Sequence, residues 1–318
     1  MTAESLHRVI WPDLLGTSLT VTVDTPAGGD DEVLRVILDE ITRLERVFSP
    51  LDPDSELCRW RRGEVRESLL SPDLVRVLAA SERYWVFSKG SFHPGSDVLS
   101  RRWRRAVAEG VPPTPEEMRA LASQLELPYT VVNGPVQRIG DCSNVDLNSI
   151  ARGYVIDTAI AAAWRLGVAR GIAIDADGDQ RHLGEGHVEI RLADVLSAQG
   201  SLGTLWLSDA AISRSSLPRS GFHVGDRWYR DVIDPRTGWP NDAIVKVVTL
   251  APDAMTADVL ATIIGVGHEP VGGFLGCAWL VQRSDGTVTR SDNWPLVGRT
   301  RPADPDAEGA APQGAAQA

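Results

Sequence analysis

Lysine is nearly absent. Only Lys89 and Lys246 occur in 318 residues, and nearly all the positive charge is arginine. Acidic residues outnumber basic ones, 43 to 32, for a net charge of -11. A chain this acidic has no electrostatic footing for nonspecific binding to nucleic acid or to an anionic membrane. Cysteine is scarce as well: Cys58, Cys142 and Cys277 are far apart and odd in number. No C-x-x-C occurs, so neither a disulfide framework nor a zinc site is implied. G-x-S-x-G, Walker A and G-x-G-x-x-G are all missing, which removes the support for three common enzyme classes. The N-terminus lacks a basic region followed by an apolar stretch, and the most apolar later region, 259–281, is broken by His268, Glu269 and Pro270. Neither a signal peptide nor a membrane span is expected, and the expected location is cytoplasmic. No internal repeat is visible.

What is present suffices for a real core, in one large or two modest domains. Residues 6–24 read as two strands about a Pro12-Asp13 turn, and the acidic run Asp30-Asp31-Glu32 opens a helix. That helix lines up Val33, Leu34, Ile37, Ile41, Leu44 and Val47 on one face. The stretch FSPLDPDSEL (48–57) is a turn-rich loop. A helix running to Lys89-Gly90 follows, then a loop SFHPGSD, then helical sequence over 98–126 broken at Pro112-Pro113. Asn133-Gly134 joins two short strands. Residues 171–175 and 187–192 read as strands flanking a DADGDQRHLGEG connection, with further strands at 203–207, 210–213, 244–250, 278–282 and 286–289. A hairpin is expected over 218–231 and a helix over 256–265. Trp103, Trp164 and Trp279 are assigned to core or sheet packing. Residues 299–318, rich in Ala, Pro, Gly and Asp, read as a disordered tail, which leaves 1–298 as the folded unit. Strands grouped irregularly with helices and hairpins make the class α+β with largely antiparallel sheets.

Two stretches carry chemistry. In VDLNSIARGYVID (145–157), Val145 and Leu147 fit a strand, Asn148 and Ser149 a turn, and from Ile150 the pattern turns helical. Free N–H groups at such a helix start suit a phosphate, and Arg152 adds a fork of donors. Asp146 could accept from a sugar or base. The same residues also suit an ordinary strand–helix junction with solvated charges. In the second stretch, 229–262, Asp258 and Thr262 are four apart on the expected helix, so both oxygens share a face. With a backbone carbonyl they would make a hard-oxygen site for magnesium, although taken alone they read more readily as an ordinary first-turn acid and a core hydroxyl. Asp231-Val-Ile-Asp-Pro-Arg-Thr-Gly-Trp-Pro ends a strand in a sharp turn, in which Asp234 suits a structural Asx role. The Asp175–Asp179 run lacks the glycine and glutamate of a calcium loop and reads as a hairpin turn. His93 and His223 are isolated, and no chemistry follows from His7, His182, His187, His223 or His268.

In order, these segments resemble the ApbE family of FAD:protein FMN transferases. The resemblance spans residues 9–290 and rests on Leu15-Gly16-Thr17, FSPLDPDSEL, GSFHP, VDLNSIARGYVID, DGD, DVIDPRTGWP and ADVLAT. It implies an ApbE-like, T-fold-related α+β architecture. It also implies magnesium-dependent transfer of FMN from FAD to a threonine hydroxyl of a flavin-acceptor protein, with release of AMP. By motif position, the Ser149 carbonyl, Asp258 and Thr262 would hold the metal. Leu15, Leu51, Ser91, Phe92, His93, Asp146, Arg152 and Val232 would contact the flavin nucleotide. The departures are local. Asp231 stands where the family usually carries its histidine base, and His93 where it carries aspartate. Arg152 replaces lysine, Asp177 a glycine, and Arg214-Ser215-Ser216 stands for Thr-Ser-Gly. A carboxylate is the poorer base near neutral pH unless it is desolvated. An FAD-binding protein without transfer, or an FAD pyrophosphatase yielding FMN and AMP, would keep the same metal pair.

Overall fold

The computed structural model describes residues 6–26, 28–216, 221–268 and 276–295. The expected tail at 299–318 and the first residues of the 218–231 hairpin lie outside them.

Strands β1 (Leu6–Leu14) and β2 (Thr17–Asp24) form the first hairpin. The turn falls at Leu15-Gly16, where both residues have positive φ, and not at Pro12-Asp13. The proline cannot donate to a ladder, and the register instead slips between Trp11 and Leu14. Helix α1 (Asp30–Phe48) buries the six apolar residues expected of it. The end of the expected 48–57 loop is already helical: Ser55 caps α2 (Glu56–Arg61) by accepting from the Cys58 N–H. Helix α3 (Pro72–Phe87) starts at a Ser71 cap with proline in its first turn, and the chain leaves it through Lys89 and Gly90, both at positive φ. Helices α4 (Asp97–Glu109) and α5 (Pro115–Ser123) are the two expected pieces. The hairpin of β3 (Tyr129–Val131) and β4 (Val136–Arg138) turns at Asn133-Gly134, again with two positive φ values.

Helix α6 (Asn148–Trp164) is preceded by a short 3-10 turn, Cys142–Asn144, rather than by a strand. Val145 and Leu147 are buried but belong to no ladder. Next come β5 (Gly171–Ala176) and β6 (Asp179–Gly184), paired through a tight turn at Asp177-Gly178. Half of the expected DADGDQRHLGEG connection is therefore itself a strand. The chain continues through β7 (Val188–Ala193), β8 (Ser201–Leu207), β9 (Ala210–Ser216), β10 (Gly221–Val224), β11 (Arg227–Arg230), β12 (Ile233–Asp234), β13 (Trp239–Pro240) and β14 (Ile244–Ala251). Helix α7 (Ala254–Gly265), β15 (Ala278–Arg283) and β16 (Val288–Arg290) close it.

Eight strands form one antiparallel sheet in the order β1-β2-β5-β6-β9-β14-β15-β16. Alternation sends Leu19, Val21 and Val23 of β2 and Ile172 and Ile174 of β5 to one face, where they join the buried residues of α1, α6 and α7. The β7–β8 hairpin covers part of the other face through Ile190, Leu192, Leu205 and Leu207. A separate apolar cluster joins α4, α5 and the β10–β11 hairpin around Trp103, whose Nε1 donates to the Gly238 carbonyl at 2.9 Å. Trp164 departs from its expected burial. It is 37% exposed, with its ring packed on the end of β6 at Gly184, where a Cβ would sit 2.5 Å from it. Among the described residues, no helix is long and apolar enough to cross a membrane.

Candidate active site

The start of α6 is irregular in a way that bears on chemistry. Asp146 donates its N–H to the Pro94 carbonyl and accepts the Asn148 N–H on its carboxylate at 2.9 Å. The side chain thus fastens the turn before the helix, and burial raises its pKa. Ser149 leaves helical geometry, at φ -85° and ψ 17°. Four residues on, the Gly153 N–H points to the Asp258 carboxylate. Gly153 also brings two helices together: a Cβ there would lie 2.5 Å from the Ala254 carbonyl oxygen and from the Met255 Cα. Only glycine permits that approach of α6 to α7.

Helix α7 is set from both sides. Asp253 accepts from the Thr256 N–H, and Asp157 of α6 accepts from the Ala254 and Met255 N–H groups at 2.9 and 3.0 Å while pairing with Arg181. One turn into the helix stands Asp258. Its Oδ2 is buried and has no hydrogen-bond partner. Burial drives its pKa well upward, and Asp179 pushes in the same direction, while Arg152 and the Gly153 N–H oppose. Asp179 is itself held by Ser213 at 2.6 Å and by Arg152 at 3.1 Å. A buried carboxylate oxygen left without a donor is costly unless a cation meets it. Thr262 follows one turn later on the same face. An Asp oxygen, a Thr hydroxyl and a carbonyl turned out of a helix are the hard donors that magnesium accepts, with substrate phosphate oxygens completing its shell. Among the described residues there is no cluster of three or more His, Cys, Asp or Glu that could hold a metal alone.

The segment after α3 supplies the facing wall. Ser88 accepts the Phe92 N–H at 2.9 Å, the Phe92 ring meets Tyr84 edge-on, and His93 meets Trp85 likewise. The Ser91 Oγ and His93 Nε2 are both buried without partners. The third wall is the strand end 231–235. Asp231 is solvent-exposed at this wall, and crowding by the surrounding chain still raises its pKa against the pull of Arg230. Asp234 turns inward instead, accepting the Arg236 N–H and pairing with its guanidinium at 2.8 Å, which is the expected Asx turn.

These walls enclose a cavity of about 190 Å³ lined by Ser91, Phe92, His93, Asp146, Ser149, Asp231, Val232 and Thr262. Eight sequence-predicted positions from four separate motifs thus converge. Four do not line it. Asp258 lies behind Thr262 on α7. Arg152 is engaged by Asp179. Leu15 sits in the β1–β2 turn with its N–H on Glu45, and Leu51 is 87% exposed on its loop. Sequence reasoning missed Ser96, Ser100, Ile233 and Pro235, which also line the cavity. The i, i+4 spacing of the two serines at the start of α4 was the available signal. A larger cavity, about 410 Å³, opens on the far face of the sheet beside Thr20, Thr22 and Gln180. It shares no residue with the metal set, and its His182 is already bonded to the Asp209 N–H and the Glu185 carbonyl. The sequence-predicted positions gather at the smaller cavity and not at the larger one.

Comparisons with known proteins bear on this arrangement. The model of the ApbE family matches residues 15–273. The FAD:protein FMN transferase of Klebsiella pneumoniae (strain 342) is 30% identical over 265 residues, covering 80% of this chain and 81% of that protein. That of Vibrio cholerae serotype O1 is 26% identical over 287 residues, covering 85% and 84%. Among solved structures, the ApbE protein of Thermotoga maritima superposes with a TM-score of 0.75 at 23% identity, covering 90% of this chain and 97% of that one.

Proposed function

The chain belongs to the ApbE family, and from that premise we propose that it transfers FMN from FAD to a threonine hydroxyl of an acceptor protein. The observation that carries the reading is the buried, unpartnered Oδ2 of Asp258, a turn from Thr262 and across the helix contact from Ser149. Ser149, Asp258 and Thr262 would hold Mg2+. The ion would neutralise charge on the FAD diphosphate and on the leaving phosphate.

In the reaction, the threonine Oγ attacks the phosphorus on the riboflavin side of the diphosphate. A new P–O bond forms there, the bond to the bridging oxygen breaks, and AMP departs with the electron pair. Asp231 takes the threonine proton. Asp146 and the start of α6 hold the nucleotide, and Phe92 and Val232 give it an apolar wall. Positioning and charge neutralisation supply most of the rate enhancement in such transfers.

Incubation with FAD, Mg2+ and a threonine-bearing acceptor tests the reading. Covalently flavinylated acceptor plus AMP is the expected product. Free FMN and AMP without labelled acceptor would make the protein a pyrophosphatase, and intact bound FAD would make it a binder. Asp231→Asn keeps the shape and removes the base. It should lower turnover by about 10²-fold or more while leaving FAD affinity in place; a fully active variant removes Asp231 from the mechanism.

A further inference from the structure

The geometry points to His93 as a fixed hydrogen-bond donor that grips an acceptor oxygen of the bound nucleotide through Nε2–H. This rests on the FAD reading above and specifies one of its contacts.

The ring is held on two sides and its backbone is fixed by a turn. Trp85 packs against it edge to face, with centroids 5.8 Å apart. The Gly95 N–H donates to Nδ1 at 3.0 Å, and the Ser96 N–H closes the turn onto the His93 carbonyl at 3.1 Å. Gly95 leaves no slack: a Cβ there would be 3.1 Å from the ring Cε1 and 3.3 Å from the Glu126 carbonyl oxygen. Because Nδ1 accepts, a neutral ring must carry its proton on Nε2. Burial lowers the histidine pKa to about 4, so the ring is neutral at physiological pH. The residue is 7% exposed, and its Nε2 has no partner.

A buried donor with nothing to bond calls for an explanation. The residue lines the cavity that also holds Asp231, Asp146 and Thr262, and the neighbouring Ser91 Oγ is open in the same way. A neutral imidazole whose Nδ1 is already occupied can only donate toward a ligand. It therefore selects an acceptor oxygen and rejects an N–H. In FAD, the diphosphate, the isoalloxazine carbonyls and the ribityl and ribose hydroxyls offer acceptor oxygens. It also leaves proton removal to Asp231, since His93 has no free basic nitrogen.

Calorimetric titration of FAD, ADP and riboflavin into wild type, His93→Gln and His93→Leu tests this. The glutamine amide can place an N–H near the Nε2 position, whereas leucine fills the space without a donor. Wild type should bind FAD, His93→Gln should stay within about threefold, and His93→Leu should lose about tenfold or more. Whichever of ADP or riboflavin suffers the same loss carries the oxygen. Equal FAD affinity in His93→Leu, or equal losses in two folded variants, overturns the donor role and leaves the FAD reading standing. Wild type that binds none of the three probes overturns both. A measurement on wild type alone covers variants that fail to fold. The ¹⁵N spectrum of its histidines should show His93 as the Nε2–H tautomer, with that proton moving downfield when FAD is added; an Nδ1–H tautomer rejects the assignment.

Discussion

Asp157 on α6 and Asp258 on α7 are enclosed carboxylates on helices that touch at Gly153, and the fold treats them in opposite ways. Asp157 receives two backbone N–H groups at the start of α7 and an arginine. Both of its oxygens accept from protein donors, although burial still raises its pKa, so its work is to join the helices. Asp258 receives the Gly153 N–H, faces a second carboxylate at Asp179, and keeps Oδ2 open. A fold that can satisfy one carboxylate so fully could satisfy the other. An open Asp258 Oδ2 is what the proposed Mg2+ site would require.

The largest effect should come from breaking the satisfied member. Asp157→Ala strands the Arg181 charge and frees two N–H groups of α7. It should cost about 3–5 kcal/mol in unfolding free energy measured by denaturant titration. A loss under 1 kcal/mol would mean that Asp157 is no more structural than its counterpart.

The next effect extends the contrast to His93, the other group left open. Its folded pKa of about 4 lies below the ordinary 6.5, so protonation favours the unfolded chain. Its contribution costs nothing at neutral pH. The cost appears as pH falls below about 6.5 and is complete near 4, with an upper bound of about 3 kcal/mol. Stability measured from pH 7 to 4 should therefore fall less in His93→Gln than in wild type. Parallel profiles would place the ring in a solvated setting.

The smallest effect on stability, and the one that sharpens the comparison most, belongs to Asp258→Asn. A carboxyl pKa raised by folding means that the ionised form weakens the fold at pH above that raised value. Without metal at neutral pH, the variant should be as stable as wild type or slightly more so. Added Mg2+ should raise the melting temperature of wild type and leave the variant unmoved. Loss of stability in EDTA, with the Mg2+ response kept, would put Asp258 in the same class as Asp157.

Much of this was readable before any coordinates. The i, i+4 spacing of Asp258 and Thr262 places both on one helix face whatever surrounds them, and Asn133-Gly134 dictates its own turn. Strand β6 was hidden for a physical reason. Its residues alternate, but Asp179 and Arg181 face the helices as ion-pair partners, and Gln180 and His182 line a polar cavity. Neither face is apolar, so the usual period-two signal is absent. Val145 and Leu147 gave the reverse error: two buried apolar residues two apart mimic a strand, yet a 3-10 turn delivers them. Helix α2, six residues long, is too short to show a helical period. The open state of His93 Nε2 depends on Gly95 and Trp85, and no local pattern announces it.

Gly153 determines more than how closely two helices pack. With the Ala254 carbonyl and the Met255 Cα already where its Cβ would be, α6 and α7 meet backbone to backbone, with no side chain between them to compress. Ser149 and Asp258 belong to the two helices so joined, and the backbone contact sets how far apart those helices stand. For a cation seated between them, this becomes a question of ionic radius. Mg2+ takes oxygens at about 2.0–2.1 Å and Ca2+ at about 2.3–2.6 Å. A few tenths of an ångström separate the two ions, and one added methyl group at position 153 would open the helices by more than that.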